Sequence, residues 1–357
     1  MRLIAAAALA VLAAPALAAN AIPFHDMIAG MIDDYARPKF AAFATSTATL
    51  RDTVAGLCRA PSAEALNKAQ DAFRTTVVAY SEAEFLRMGP LQIGDREERL
   101  LFWPDSKGIA LRQVQAALGS KDPTAAAPDT LQGKSVAMQG LAAVEFLLFG
   151  TGANDLASAA GAYRCSYASA ASTLIAGIAD TINAEWIATG AGSAADALLN
   201  PQPASSDYRT ELEVINKMAA TLPFGNDAIR DQRIAPILSL STGVPKPRSA
   251  LFWRSGMTAK ALEANFTGLL DYFRAARFEP ALDAANRWVG RSIVFEFEGA
   301  LEAAKEVPQS VEGAIKDPEG MLGLRQMYVS TGSLDTLDEN LAVALGLSAG
   351  FSALDGD

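Results

Sequence analysis

Glu145 is the single charged residue in the run Val136-Ala137-Met138-Gln139-Gly140-Leu141-Ala142-Ala143-Val144-Glu145-Phe146-Leu147-Leu148-Phe149. Read as one helix, this run is apolar on every side and belongs inside a bundle. A carboxylate buried there must find a partner, bind a cation or stay protonated. Gly140 weakens a helix but lets another backbone or a ligand come close. Two readings of Glu145 stand side by side. One is a functional site in the bundle interior, and the other is a structural ion pair with a buried arginine such as Arg164 or Arg254.

Glu84 carries a similar anomaly. Phe73, Val77 and Tyr80 form an apolar stripe, and four more residues lead to Glu84, a carboxylate on the core-facing side. Arg87, nearly one turn further on, offers it a local partner. Trp103-Pro104-Asp105 predicts a rigid turn with Asp105 capping the following helix. Trp253-Arg254-Ser255-Gly256 is the matching break in the second half of the chain. Arg254 beside a tryptophan suits an anion, a buried carboxylate or simple stacking on the indole. His25 is the only histidine, and its place near the start of the chain predicts a surface or helix-packing residue. One histidine excludes a His-rich metal centre and argues against a Ser-His-Asp or Cys-His enzyme. The sequence holds no HExxH, Gly-rich phosphate loop, GxSxG elbow or EF-hand loop.

The elements that position these residues are helices. Apolar residues recur at three- and four-residue spacing, and alternating strand patterns are scarce. Ser62 after Pro61 is an N-cap signal, Glu64 suits the positive end of the helix dipole, and Gly89-Pro90 is a stop signal. Further helices are expected over 24–57, 107–118, 131–149, 163–189, 207–220, 257–276, 280–306 and 334–347. Breaks rich in Gly and Pro fall at 119–130, 190–206 and 241–250. The middle break marks a linker at 191–206 between two helical bundles, 19–190 and 207–357. Leu101-Phe102-Trp103 recurs as Leu251-Phe252-Trp253, and Gly140 has a counterpart in Gly290 at the same offset. An internal duplication would leave such an echo, and so would chance; both readings stand.

The chain has 357 residues, half of them hydrophobic and 20% charged, which excludes long-range disorder. Its 40 acidic residues against 30 basic ones, with no basic block, argue against nucleic acid or an anionic membrane surface as partner. Residues 1–18 read as a secretory signal, with Arg2, an apolar stretch from Leu3 to Leu12, and the cleavage pattern Ala16-Leu17-Ala18. The apolar run is too short for a membrane span, and no cysteine follows the cleavage point to carry a lipid anchor. A soluble, exported protein of a bacterial periplasm is expected. In an oxidising compartment the only two thiols, Cys58 and Cys165, are expected to pair, the rival reading being two buried inert thiols.

Taken together, Arg96 to Asp105 (REERLLFWPD), Gln139 to Gly150 (QGLAAVEFLLFG), Arg164-Cys165, Trp253 to Gly256 (WRSG) and the closing Gly350 to Asp357 resemble the imelysin-like periplasmic proteins over nearly the whole mature chain. The resemblance implies an all-α protein of two bundle-like domains, a site between them and a link to bacterial iron acquisition. Some members of the family have been filed as metallopeptidases. The family signature GxHxxE sets a histidine and a glutamate about one helical turn apart, so that both can reach one ion. Here it reads Gly140-Leu141-Ala142-Ala143-Val144-Glu145, with alanine at the histidine position. Alanine has no lone pair, which demotes a zinc peptidase. An all-oxygen site could still take ferric iron or another divalent or trivalent cation, with Glu145, Glu84 and Asp105 as candidate ligands. Gly140, Trp103, Arg254 and Ser255 complete the candidate binding residues. The expected function is non-catalytic binding of a metal, a small chelate or another envelope iron-uptake component between the domains. The alternatives are a metal-dependent peptidase and an interaction module with a purely structural Glu145.

Overall fold

A computed structural model describes residues 22–105 and 107–347. The expected leader and the closing Gly350 to Asp357 motif lie outside the described residues. Among the described residues every regular element is helical and no strand occurs, so the chain is all-α. No described helix is long and apolar enough to cross a membrane.

Among the described residues ten α-helices of seven or more residues carry the architecture, and shorter segments join them. A first group comprises α1 (Phe24–Gly30), α2 (Arg37–Arg59), α3 (Ala63–Ser81), α4 (Ile109–Ser120), α5 (Gly140–Phe149) and α6 (Ala162–Ile187). The second group comprises α7 (Glu211–Asp227), α8 (Thr258–Ala275), α9 (Arg287–Lys305) and α10 (Pro318–Ala344). Two π-helical segments, Met31–Ala36 and Ala228–Ile234, extend α1 into α2 and α7 into the short helix after it.

Sequence signals explain several of these boundaries. Ser62 Oγ accepts from the Ala65 N–H and opens α3, satisfying an amide that the helix itself leaves unpaired. Asp317 opens α10 in the same way through the Gly320 N–H. Between the two, α2 packs on both α3 and α6, while α9 and α10 pack on each other and on α8 and α7 respectively. The two groups share one continuous apolar core, with α1 against α7 and α3 against α8. Gly268 marks how close they come: a Cβ there would stand 2.3 Å from the Glu82 carbonyl oxygen just beyond α3. Cys58 and Cys165 form a disulfide that ties the end of α2 to the start of α6.

Three helical expectations need correction. The helix opened by Ser62 ends at Ser81, ahead of the Gly89-Pro90 stop signal, so Glu84 lies in the turn beyond α3. The run 131–149 is not one helix: α5 begins only at Gly140, after a 3-10 turn at Val136–Met138. Gly140 takes φ of +72°, and a Cβ would meet the Arg99 and Leu100 carbonyl oxygens at 2.6 Å. The chain there is bent by a close backbone approach that only glycine permits. At the other end, α10 starts at Pro318 rather than near 334, because Gly320, Gly323 and Gly332 conceal a helix that packing on α9 stabilises.

Candidate functional site

One cavity of about 550 Å³ draws its walls from both halves of the chain. Residues 102–105 and α4 form one side, and α5 contributes Ala142, Glu145 and Phe146. The π segment supplies Asp231 and Gln232, and a turn at 248–254 supplies Arg248, Trp253 and Arg254. Trp103 and Trp253, the ends of the two repeated tripeptides, both line it. The Trp103–Pro104 peptide is cis, and Trp103 Nε1 donates to the Gln232 carbonyl at 3.2 Å, fastening that wall to the π segment. A π segment puts an extra residue into a helical turn, which changes the direction of the side chains that follow it. Here Gln232 lines the cavity while the buried Arg233 reaches Glu84.

Glu145 is 4% exposed and sits where the α5 wall meets the turn. Its Oε1 accepts from the Ser255 N–H at 2.9 Å and from Ser255 Oγ at 2.8 Å. Burial pushes its carboxyl above the usual range, and the two Ser255 bonds and the nearby Arg254 charge oppose that shift. Neither arginine proposed as an ion-pair partner plays that part. Arg164 instead donates to the carbonyls of Phe146, Leu147 and Thr151 at 2.7–2.8 Å, satisfying the otherwise unpaired end of α5. The Arg254 guanidinium carbon lies over the Trp253 ring, 4.5 Å from its centre, and 5.3 Å from that of Phe146. Among the described residues its guanidinium has no hydrogen bond or ion pair.

The turn that carries Arg254 is conformationally demanding. Phe252 is fully buried at φ of +59°, a region costly for a bulky side chain. The turn is held by the Met257 N–H on the Phe252 carbonyl at 3.0 Å, Thr258 Oγ1 on the Leu251 carbonyl at 2.7 Å, and the Ser255 clamp on Glu145. Glu145 thus fixes the backbone that presents Trp253 and Arg254 to the cavity.

The other candidates are dispersed. Asp105 lines the cavity, but its Oδ1 and Oδ2 accept from the Ile109 and Ala110 N–H groups at 2.7 and 2.8 Å, capping α4 as the sequence suggests. Glu84 lies outside the cavity lining. It does not pair with Arg87, which bonds to Glu97. Arg233 Nη2 donates to Glu84 Oε2 at 2.7 Å, and Asn265 Nδ2 donates to Oε1 at 2.7 Å. Burial raises the Glu84 carboxyl despite these partners. Gly140 shapes the start of α5 and does not line the cavity. His25 is half-exposed at the surface.

Ala142 and Glu145 both face the cavity, as i and i+3 positions of one helix should. The metal that the GxHxxE signature implies does not fit this donor set. Ala142 offers no lone pair, Asp105 spends both oxygens on backbone amides, and Glu84 is elsewhere. No group of three His, Cys, Asp or Glu among the described residues could hold an ion.

Sequence reasoning missed Arg248, Gln232 and Phe146 in the cavity and Arg233 beside Glu84. Arg233 left a signal: Ile229, Arg233 and Ile237 are spaced by four residues, which sets an arginine on a buried stripe. Gln232 left none, being a polar residue between the charged Asp231 and Arg233.

The fold and cavity define an all-helical protein whose two helix groups enclose a space walled by aromatic and arginine side chains. A family model described as Imelysin matches residues 36–332, and the chain belongs to that family. Two solved structures share the fold. An imelysin-like protein from Psychrobacter arcticum 273-4 has a TM-score of 0.73 at 18% identity, covering 92% of this chain and 97% of that one. A protein described as an iron-regulated protein A precursor, from Parabacteroides distasonis ATCC 8503, has a TM-score of 0.69 at 12% identity, covering 88% and 94%. No curated protein matches the chain.

Proposed function

We propose that this imelysin-family chain is an exported, periplasmic binding protein of an iron-acquisition system, non-catalytic, with its ligand in the cavity between the helix groups. The observation that carries the reading is the cavity itself: about 550 Å³, within the range of small-molecule sites, and walled from both halves of the chain. The link to iron is supported by family membership and by the iron-regulated description of one structural relative. The signal-like leader supports export. Binding is favoured over hydrolysis because the position that would supply imidazole is Ala142. The donor set favours a chelate or other organic ligand over a bare ion, and Glu145 serves as a positioning residue for the rim.

The test is growth under iron restriction of a strain lacking the gene, complemented with the wild-type chain or with Ala142→Trp. Ala142 is half-buried on the cavity wall, so a large side chain there fills the space rather than the core. The deletion should slow growth only when iron is scarce, the wild type should restore it, and Ala142→Trp should not. Equal growth of the deletion strain and its parent under iron restriction would overturn the proposal.

A further inference from the structure

The hydrogen-bonding capacity of the charged groups in the cavity is not used up from within. Of the three carboxylates in its lining, Asp105 is bound by two α4 amides, and Glu145 by Ser255. Asp231 is bound by Arg230, at 3.0 and 3.1 Å. Of the two arginines, Arg248 is largely exposed, with Nε 3.4 Å from Glu312 Oε1 and its guanidinium carbon 5.6 Å from the Trp253 ring centre. Arg254 is the half-buried cation that remains without a hydrogen-bonding partner among the described residues. Its contacts with Trp253 and Phe146 are cation–π contacts that take up none of its N–H groups in hydrogen bonds, so these stay available to an acceptor. Burial lowers its pKa and the nearby Glu145 charge opposes that shift; an arginine keeps its proton, so its unbonded N–H groups can offer a charge-assisted bond to an acceptor. The same cavity is lined by Phe102, Trp103, Phe146 and Trp253, flat surfaces suited to an aromatic ring.

Resting on the reading of this cavity as the functional site, we propose that its ligand is a small aromatic organic anion, with the carboxylate on the Arg254 guanidinium and the ring among Phe102, Trp103 and Trp253. A two-ring arene carboxylate fits within the cavity volume. Arg248 at the rim draws the anion in, and the Glu145–Ser255 clamp holds Arg254 in place.

The probe is hydroxynaphthoate, titrated into the full mature chain by tryptophan fluorescence and calorimetry. Its uncharged carboxamide and an aliphatic cyclohexanecarboxylate serve as matched controls. Saturable binding of hydroxynaphthoate is expected. A charge-assisted bond to arginine predicts that the carboxamide binds at least about tenfold more weakly, and the aliphatic acid loses the aromatic contacts. Arg254→Gln should weaken the acid by a similar factor and leave the carboxamide unchanged, while Ala142→Trp should abolish both. Equal affinity for acid and carboxamide in the wild type overturns the proposal without any variant. So does an Arg254→Gln chain that binds the acid as tightly as wild type, or no saturable binding by the wild type. If binding fails while growth under iron restriction still depends on an open cavity, the ligand class is wrong and the functional site stands.

Discussion

Replacing Gly140 by alanine adds one methyl group and should be among the most damaging single changes in the chain. Its φ of +72° lies in the left-handed region, which costs an L-residue about 1–2 kcal/mol. The new Cβ would stand 2.6 Å from two backbone carbonyl oxygens, those of Arg99 and Leu100. Neither can turn aside as a side-chain tip could, so the backbone must move, at a further cost of about 1–3 kcal/mol. The reduced freedom of the unfolded chain returns about 0.4–1 kcal/mol. The net loss expected for Gly140→Ala is about 1–5 kcal/mol. Gly177→Ala is the matched control. Gly177 is an exposed position inside α6, and a Cβ there meets nothing within 4 Å. The same methyl group should stabilise the chain there by about 0.5–1 kcal/mol. Urea denaturation of the two variants beside wild type measures both. A Gly140→Ala midpoint equal to or above that of wild type would refute the steric argument for how α5 begins.

Three further outcomes follow from buried groups. Glu84→Ala strands Arg233, whose Nε and Nη1 already lack partners among the described residues, and should cost about 3–5 kcal/mol in urea denaturation; the double variant with Arg233→Met should recover much of that loss. Asp338 is buried against Asn226, which donates to its Oδ2 at 2.8 Å, and burial raises its carboxyl well above the ordinary 3.8. The folded state then holds a proton that the unfolded chain has released, so this group's contribution to stability falls as pH rises from about 4 through its folded pKa. Asp338→Asn should remove that fall, which denaturation midpoints measured across this range would reveal. Reduction of the Cys58–Cys165 bond, which spans a sequence separation of 107, should lower stability by about 4–5 kcal/mol on the chain-entropy model, as unfolding with and without reductant would measure.

Much of this architecture is legible in the sequence because helical periodicity and capping are local. The Ser62 cap, the Asp105 cap and the long helix through 24–57 follow from residues within a few positions of one another. Glu145 and Glu84 are legible as buried carboxylates for the same reason. Their partners are not. Ser255 lies 110 residues from Glu145, and Arg233 lies 149 from Glu84, so only the packed fold brings them together. Glycine hides structure in both directions: three glycines conceal the first half of α10, and Gly140 conceals a break inside an apolar run. The repeated Leu-Phe-Trp tripeptide is visible in the sequence, but only the structure brings both tryptophans to one cavity, one from an extended segment and one from a strained turn.

The role of Glu145 separates a positioned rim from a metal ligand most directly. Glu145→Gln keeps an oxygen that can accept both Ser255 bonds but removes the charge an ion would need, whereas Glu145→Leu removes the clamp altogether. The measurement is rescue of iron-restricted growth in the deletion strain by each variant, with levels of the protein matched. The account predicts rescue by Glu145→Gln close to that by wild type and none by Glu145→Leu. Failure of both variants alike, with Glu145→Gln folded and present at wild-type levels, would contradict it and return Glu145 to the ligands of a metal.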